Sequence, residues 1–230
     1  NLFMVKRIIK IGLPAGLQSV MYALSNIIIQ SSVNALGTDT IAAWTAYSKI
    51  DSVYWMIISA LGISITTFVG QNYGAGKMTR VKRGVNVCIT ALITFLLCTV
   101  LYLFGGYVYL LFTTDAAVIA KGMEILYFLV PTFILYVCIE IFSGALRGVG
   151  DCWIPMIMTA LGVCTLRVVW IIIAVPIRPS IMTVIFSYPL TWGITTVLFI
   201  IYYYCFSALK KFNVPLLRLR RKRRRRLEDQ

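Results

Sequence analysis

A helix needs about 20 apolar residues to cross the hydrocarbon layer of a bilayer. Six stretches of this chain meet that demand, at residues 11–36, 53–73, 85–111, 125–146, 153–175 and 181–206. Their length and lack of polar–apolar alternation mark them as helices rather than strands. The whole chain follows suit: 60% of its 230 residues are hydrophobic and 13% are charged, with mean hydropathy +0.86. Soluble domains are roughly 45–50% apolar and about 25% charged. The predicted fold is all-α: a polytopic membrane protein with a six-transmembrane-helix bundle over residues 1–207 and a polybasic tail over 208–230.

The breaks between the stretches are legible. Connections at 37–39, 113–115 and 176–180 are short and turn-rich, and the other two carry cations. The most prominent break is residues 68–84, which begin Phe68-Val-Gly-Gln-Asn-Tyr-Gly-Ala-Gly-Lys77 and continue through Arg80, Lys82 and Arg83 to Gly84. Lys and Arg are retained on the cytoplasmic side. Lys6, Arg7 and Lys10, the four cations of 68–84, Arg147 and ten tail cations fall on one face, against Lys49, Lys121 and Arg178 on the other. Both termini are therefore expected in the cytoplasm. No small-residue cleavage site precedes the first span, so no signal peptide is expected.

Several function classes recede. The net charge of +14 is concentrated in loops and in the tail, where Arg218 to Arg226 are cations broken only by Leu219. A nucleic-acid binder would spread such charge over an aromatic-studded face, so no nucleic-acid partner is expected; the tail reads as a topology anchor touching anionic lipid. The six cysteines lie within or beside apolar stretches, and the chain has no histidine, which disfavours a zinc or disulfide framework. No cofactor is expected. Nothing resembles a hydrolase or transferase, and Gly70 to Lys77 lacks the spacing and the strand–helix context of a phosphate loop.

Two ionisable residues are expected well inside spans, Glu140 and Arg167. Charge at that depth faces an interior or a cavity. At about 1.5 Å per residue, Glu140 lies roughly 10 Å in from Arg147 and Arg167 roughly 20 Å in from Trp153. The difference argues against a simple Glu140–Arg167 ion pair. Tyr136, Glu140, Ser143 and Arg147 form one helical stripe, where Glu140 with the Tyr136 phenol reads as a cation or proton site, or as a structural group bonded to other helices. Arg167 reads first as structural. In the first span, Gly12, Pro14 and Gly16 interrupt the apolar run. Gln18 lies at about the depth of Glu140, Asn26 nearer that of Arg167, and Asn26, Gln30 and Asn34 share one face. That face lines a water-filled cavity or packs in a kinked helix.

These residues also carry a resemblance. The 68–84 stretch, the run Ser143-Gly-Ala-Leu-Arg-Gly-Val-Gly-Asp151 followed by Pro155, Leu13 to Gln18, and Val33 to Gly37 with Ile41 to Ala43 resemble, in correct order, motifs of the multidrug and toxic compound extrusion (MATE) transporters. The resemblance covers about residues 10–207. It implies one lobe of a twelve-helix, two-lobed protein around a central cavity, and the motif forms and basic tail look like the C-terminal lobe. The implied partners are the missing N-terminal lobe, the lipid bilayer and small amphipathic or cationic substrates. The implied activity is antiport, with Na⁺ or H⁺ as coupling ion, in the plasma (inner) membrane. Other readings are a lipid-linked saccharide flippase of the same superfamily and a non-transporting scaffold or truncated product. Part of the family pattern is absent: the seventh-helix equivalent has only amides, and Glu140 falls about one turn from the acidic position of some members, which maps nearer Tyr136. That leaves the other lobe as a place for the coupling acid.

Overall fold

A computed structural model describes residues 2–89, 92–207 and 209. Their regular structure is helical: α1 (Leu2–Asn34), α2 (Thr38–Gly74), α3 (Met78–Ile89), α4 (Leu92–Leu110), α5 (Ala116–Leu129), α6 (Phe133–Gly148), α7 (Trp153–Thr159), α8 (Leu166–Ile177) and α9 (Ile181–Cys205). A 3-10 turn at Val130–Thr132, which holds Pro131, joins α5 to α6 in one rod, and a π-turn at Ala160–Thr165 joins α7 to α8. Among the described residues, five helices are long and apolar enough to cross a membrane: Ile11–Asn34, Thr38–Gly74, Ala116–Gly148, Trp153–Ile177 and Ile181–Cys205. The chain is an all-α, multi-pass membrane protein. The stretch expected as the third span, 85–111, falls on α3 and the 19-residue apolar helix α4; residues 90 and 91 lie outside the described residues. So does the polybasic run from Arg218 to Arg226.

Two helices run on past the expected span bounds: the helix holding the second span starts at Thr38, ahead of residue 53, and the rod holding the fourth starts at Ala116, ahead of 125. Lys49, Asp51, Lys121 and Glu124 therefore lie inside helices. A backbone that satisfies its own hydrogen bonds has no reason to unwind where it leaves the lipid. With 37 residues, α2 is about 55 Å long, against about 30 Å of hydrocarbon, so it tilts or projects. Asp115 caps α5, its Oδ1 accepting from the Ala117 N–H at 2.8 Å. Lys121 Nζ stands 3.6 Å from Asp39 Oδ2, which puts the starts of α2 and α5 at one end of the bundle.

The helices also run through their prolines: Pro14 lies inside α1 and Pro189 inside α9. Around Pro189, which has no N–H to give, hydroxyls bond the backbone. Ser187 Oγ donates to the Val184 carbonyl, Thr191 Oγ1 to that of Ser187 and Thr195 Oγ1 to that of Thr191, each at 2.7 Å.

The centre of the bundle is the seam between α2 and α6. A Cβ on Gly148 would meet the Thr66 carbonyl oxygen at 2.7 Å, and one on Gly144 would meet that of Gly62 at 2.9 Å. Such close backbone approach is the membrane substitute for hydrophobic driving force between helices. Further along, Tyr54 of α2 stacks on Phe133 at 4.0 Å and donates to its carbonyl at 3.2 Å. Thr196 of α9 donates to the Leu135 carbonyl at 2.8 Å. At the end opposite Asp39, α2 stops at Gly74, Gly76 turns the chain with φ 70, and α3 starts at Met78. Val81 and Val85 are buried there while Lys77, Arg80 and Arg83 face outward. Nearby, Tyr202 of α9 donates to Asp151 Oδ2 at 2.6 Å.

Candidate functional site

Asp51 emerges only once α2 is seen to begin at Thr38. A single continuous helix places Tyr47, Asp51 and Trp55 one turn apart on one face. Trp55 Nε1 donates to Asp51 Oδ2 at 2.6 Å, and Tyr47 OH donates to Oδ1 at 3.3 Å. Both carboxylate oxygens thus meet neutral donors. Among the described residues no cation comes within ion-pair distance of Asp51. Arg167 lies across the same aromatic set, where Trp44 links Tyr47 to Tyr188.

Arg167 follows directly on the π-turn, a feature frequent at functional sites. It is 3% exposed. Its guanidinium lies 4.0 Å above the Tyr188 ring and 6.0 Å from Trp192. Nη2 donates to Thr191 Oγ1 at 3.4 Å, while Nε has no hydrogen-bond partner. Burying an isolated ion costs several kcal/mol, and a desolvated cation–π contact returns about 2 kcal/mol. The rings therefore offset only part of the cost of burying this cation.

Aromatic rings fill the space around the two charges. Trp44 stands 5.4 Å from Tyr47 and 6.2 Å from Tyr188; Trp192 stands 5.3 Å from Tyr188 and 5.5 Å from Tyr136; Trp55 meets Tyr136 edge-on at 4.3 Å. Tyr136, singled out from sequence for its stripe with Glu140, sits where α2, α6 and α9 converge. Its hydroxyl is 3.3 Å from that of Tyr22, which brings in α1.

Glu140 belongs to a second, separate pair. Its Oε1 accepts from Arg147 Nη2 at 2.7 Å, and both side chains are mostly buried, at 16% and 23% exposure. They line an open groove of about 270 Å³ with Ser59, Ile63, Thr66 and Thr67. Buried Ser143 of the same stripe leaves its Oγ without a partner. Among the described residues Glu140 and Arg167 form no ion pair, in line with their expected difference in depth.

On α1, Gln18 is half-buried and Asn26, Gln30 and Asn34 are exposed. Gln30 Nε2 donates to Asn34 Oδ1 at 2.8 Å, so two of the three amides engage each other. Their exposed face also carries Leu24 and Ile27. The structure brings Tyr136 and Arg167 into one aromatic set with Asp51, sets Glu140 apart with Arg147, and leaves the α1 amides on an outer face. Asp51 escaped sequence reasoning because it fell in an expected connection. The signal that would have found it is the Tyr47–Asp51–Trp55 spacing.

Comparison with known proteins agrees with this architecture. The family model described as MatE matches residues 14–173. The chain is 24% identical over 199 residues to a probable multidrug resistance protein, YoeA, of Bacillus subtilis, covering 85% of this chain and 43% of that protein. It is 30% identical over 111 residues to an FAD transporter of Shewanella oneidensis, covering 47% of this chain and 25% of that one. Among solved structures, an outward-facing multidrug resistance MATE family transporter of the MOP superfamily superposes with TM-score 0.77 at 16% identity, covering 87% of this chain and 45% of that one. A MOP superfamily transporter from Pyrococcus furiosus superposes with TM-score 0.73 at 18% identity, covering 87% of this chain and 44% of that one. The chain spans less than half the length of each of these relatives. With its family model matched over most of its length and its fold shared with these structures, this chain belongs to the MatE family, whose members are membrane transporters rather than enzymes.

Proposed function

We propose that this chain forms one six-helix lobe, the C-terminal half, of a transporter that exports organic cations or other amphipathic compounds in exchange for inward Na⁺ or H⁺. The observation that supports this reading is Asp51, a carboxylate inside an apolar bundle whose oxygens accept from the neutral donors Trp55 and Tyr47. A carboxylate so placed can take up a cation when open to one side of the membrane and release it to the other. Glu140 is already neutralised by Arg147, so Asp51 is the stronger candidate for coupling. In this reading Gln18, Asn26, Gln30 and Asn34 present the substrate-facing amides, and Tyr136 links α1 to the Asp51 set. The multidrug names of several relatives favour drug export, and their lengths favour a second lobe that rocks against this one. The Lys/Arg bias favours cytoplasmic termini in the plasma (inner) membrane.

The test is Asp51→Asn, which keeps the shape and removes the charge, in the transporter that carries this chain. Reconstituted in proteoliposomes, the variant should lose Na⁺- or H⁺-driven efflux of a cationic dye while inserting in normal amount. Unchanged gradient-driven efflux would remove Asp51 from coupling. A second reading, a lipid-linked saccharide flippase, draws on the unpaired Nε of Arg167 as an anion ligand. Under it, Arg167→Gln would abolish flipping and Asp51→Asn would leave it intact.

A further inference from the structure

We propose that the outer groove between α5, α8 and α9, at the end of the bundle where α8 turns into α9, binds an anionic phospholipid. The lipid phosphate would sit on Arg178 and one acyl chain on the Phe128–Trp170–Phe186 wall. The groove holds about 510 Å³, and Ile177, Arg178 and Met182 form its upper part. Its size falls in the ordinary range of ligand pockets, about 300–1,000 Å³.

Position is the first argument. Arg178 lies in the short connection between the spans Trp153–Ile177 and Ile181–Cys205, so it stands at headgroup level. Trp170 is seven residues before Ile177 and Phe186 five residues after Ile181, which puts the aromatic wall about 8–10 Å deeper at 1.5 Å per residue. A charge at the interface above an apolar slot is the shape of a phospholipid, with head and tail at matching depths.

Charge is the second argument. Arg178 is exposed, and no acidic residue lines the groove. The N-terminus of the 25-residue α9 opens beside it, with Ser180 as its cap; the positive end of that helix adds to the attraction for a phosphate. Basic pockets between membrane helices on the cytoplasmic side take anionic headgroups by the same attraction, and here the cation stands at the opposite face.

Rigidity is the third. Trp170 Nε1 donates to the Thr183 carbonyl at 2.9 Å. Its ring lies 5.3 Å from Phe186, which in turn lies 6.3 Å from Phe128. The indole is thus pinned with its polar edge inward, leaving a preformed apolar wall toward the lipid. Phe186 and Ile177 are 43% and 79% exposed, so the wall is open from the bilayer side.

The probe is a phosphatidylglycerol carrying a photoactivatable diazirine in its acyl chain, in nanodiscs of phosphatidylcholine holding the whole transporter. The adduct should map to peptides bearing Trp170 or Phe186. Arg178→Gln should lower the yield about five-fold, the equivalent of one cation's attraction to an anionic headgroup; Arg178→Lys should retain it. An equally labelled phosphatidylcholine probe should mark the groove several-fold less. Unchanged melting temperature identifies both variants as folded. Equal labelling by the two lipids, unchanged yield in Arg178→Gln, or a groove that stays unlabelled because another protein segment covers it would each overturn the proposal.

Discussion

Two carboxylates on neighbouring helices show how much a partner decides. Glu140 and Arg147 face each other at 2.7 Å on one helix, two turns apart. Among the described residues Asp51 has an indole and a phenol. Removing one member of a mostly buried pair leaves the other desolvated and unmatched, at a cost of about 3–5 kcal/mol, whereas removing both is close to neutral. Glu140→Gln and Arg147→Gln should therefore each lower the thermal midpoint of the detergent-solubilised protein. The double variant should recover most of the loss, and additive losses would mean that the contact contributes little. At Asp51 the donors carry the argument. Trp55→Phe removes a charge-assisted hydrogen bond of about 1.5–3 kcal/mol, and gradient-driven efflux should fall while insertion is kept. Glu140 was legible as a candidate because it interrupts an apolar run. Asp51 was not, since Ser48, Lys49 and Ser52 around it imitate a loop.

At the scale of the element, α2 runs on as one helix past the expected span. Hydropathy counts residues that favour lipid and is blind to helix that continues beyond it, so Thr38 to Ser52 went unassigned to the span. The glycines of the 143–151 motif were legible as a pattern, but their purpose appears only with α2 in place. Gly148→Val would drive a side chain into the Thr66 carbonyl and the Val69 side chain, and overpacking of this kind costs about 1–3 kcal/mol. Gly193→Ala of α9, with nothing within 4 Å of the new Cβ, should be neutral or stabilising by up to about 1 kcal/mol from helix propensity. Thermal midpoints measured side by side would check the contrast; equal losses would deny the seam its role.

For the whole molecule, the connections sort into two ends. The Asp39–Lys121 pair marks one, and the Gly74–Met78 turn with the Tyr202–Asp151 contact marks the other. The cation bias predicts the second end in the cytoplasm. With the native cysteines replaced, Thr79→Cys should resist a membrane-impermeant maleimide in intact cells and react after lysis, and Thr38→Cys should react in both. The reverse pattern would invert the topology. By itself the sequence determined that the chain is helical, crosses the membrane several times and carries the motifs of its family, because apolar length and local turn chemistry are written residue by residue. Only the tertiary structure decided which charges face each other. Asp51 and Arg167 lie 116 positions apart in sequence and share one aromatic interior because Trp44 and Trp55 of α2 meet Tyr188 and Trp192 of α9, which packs on α8, a relation that no local pattern encodes.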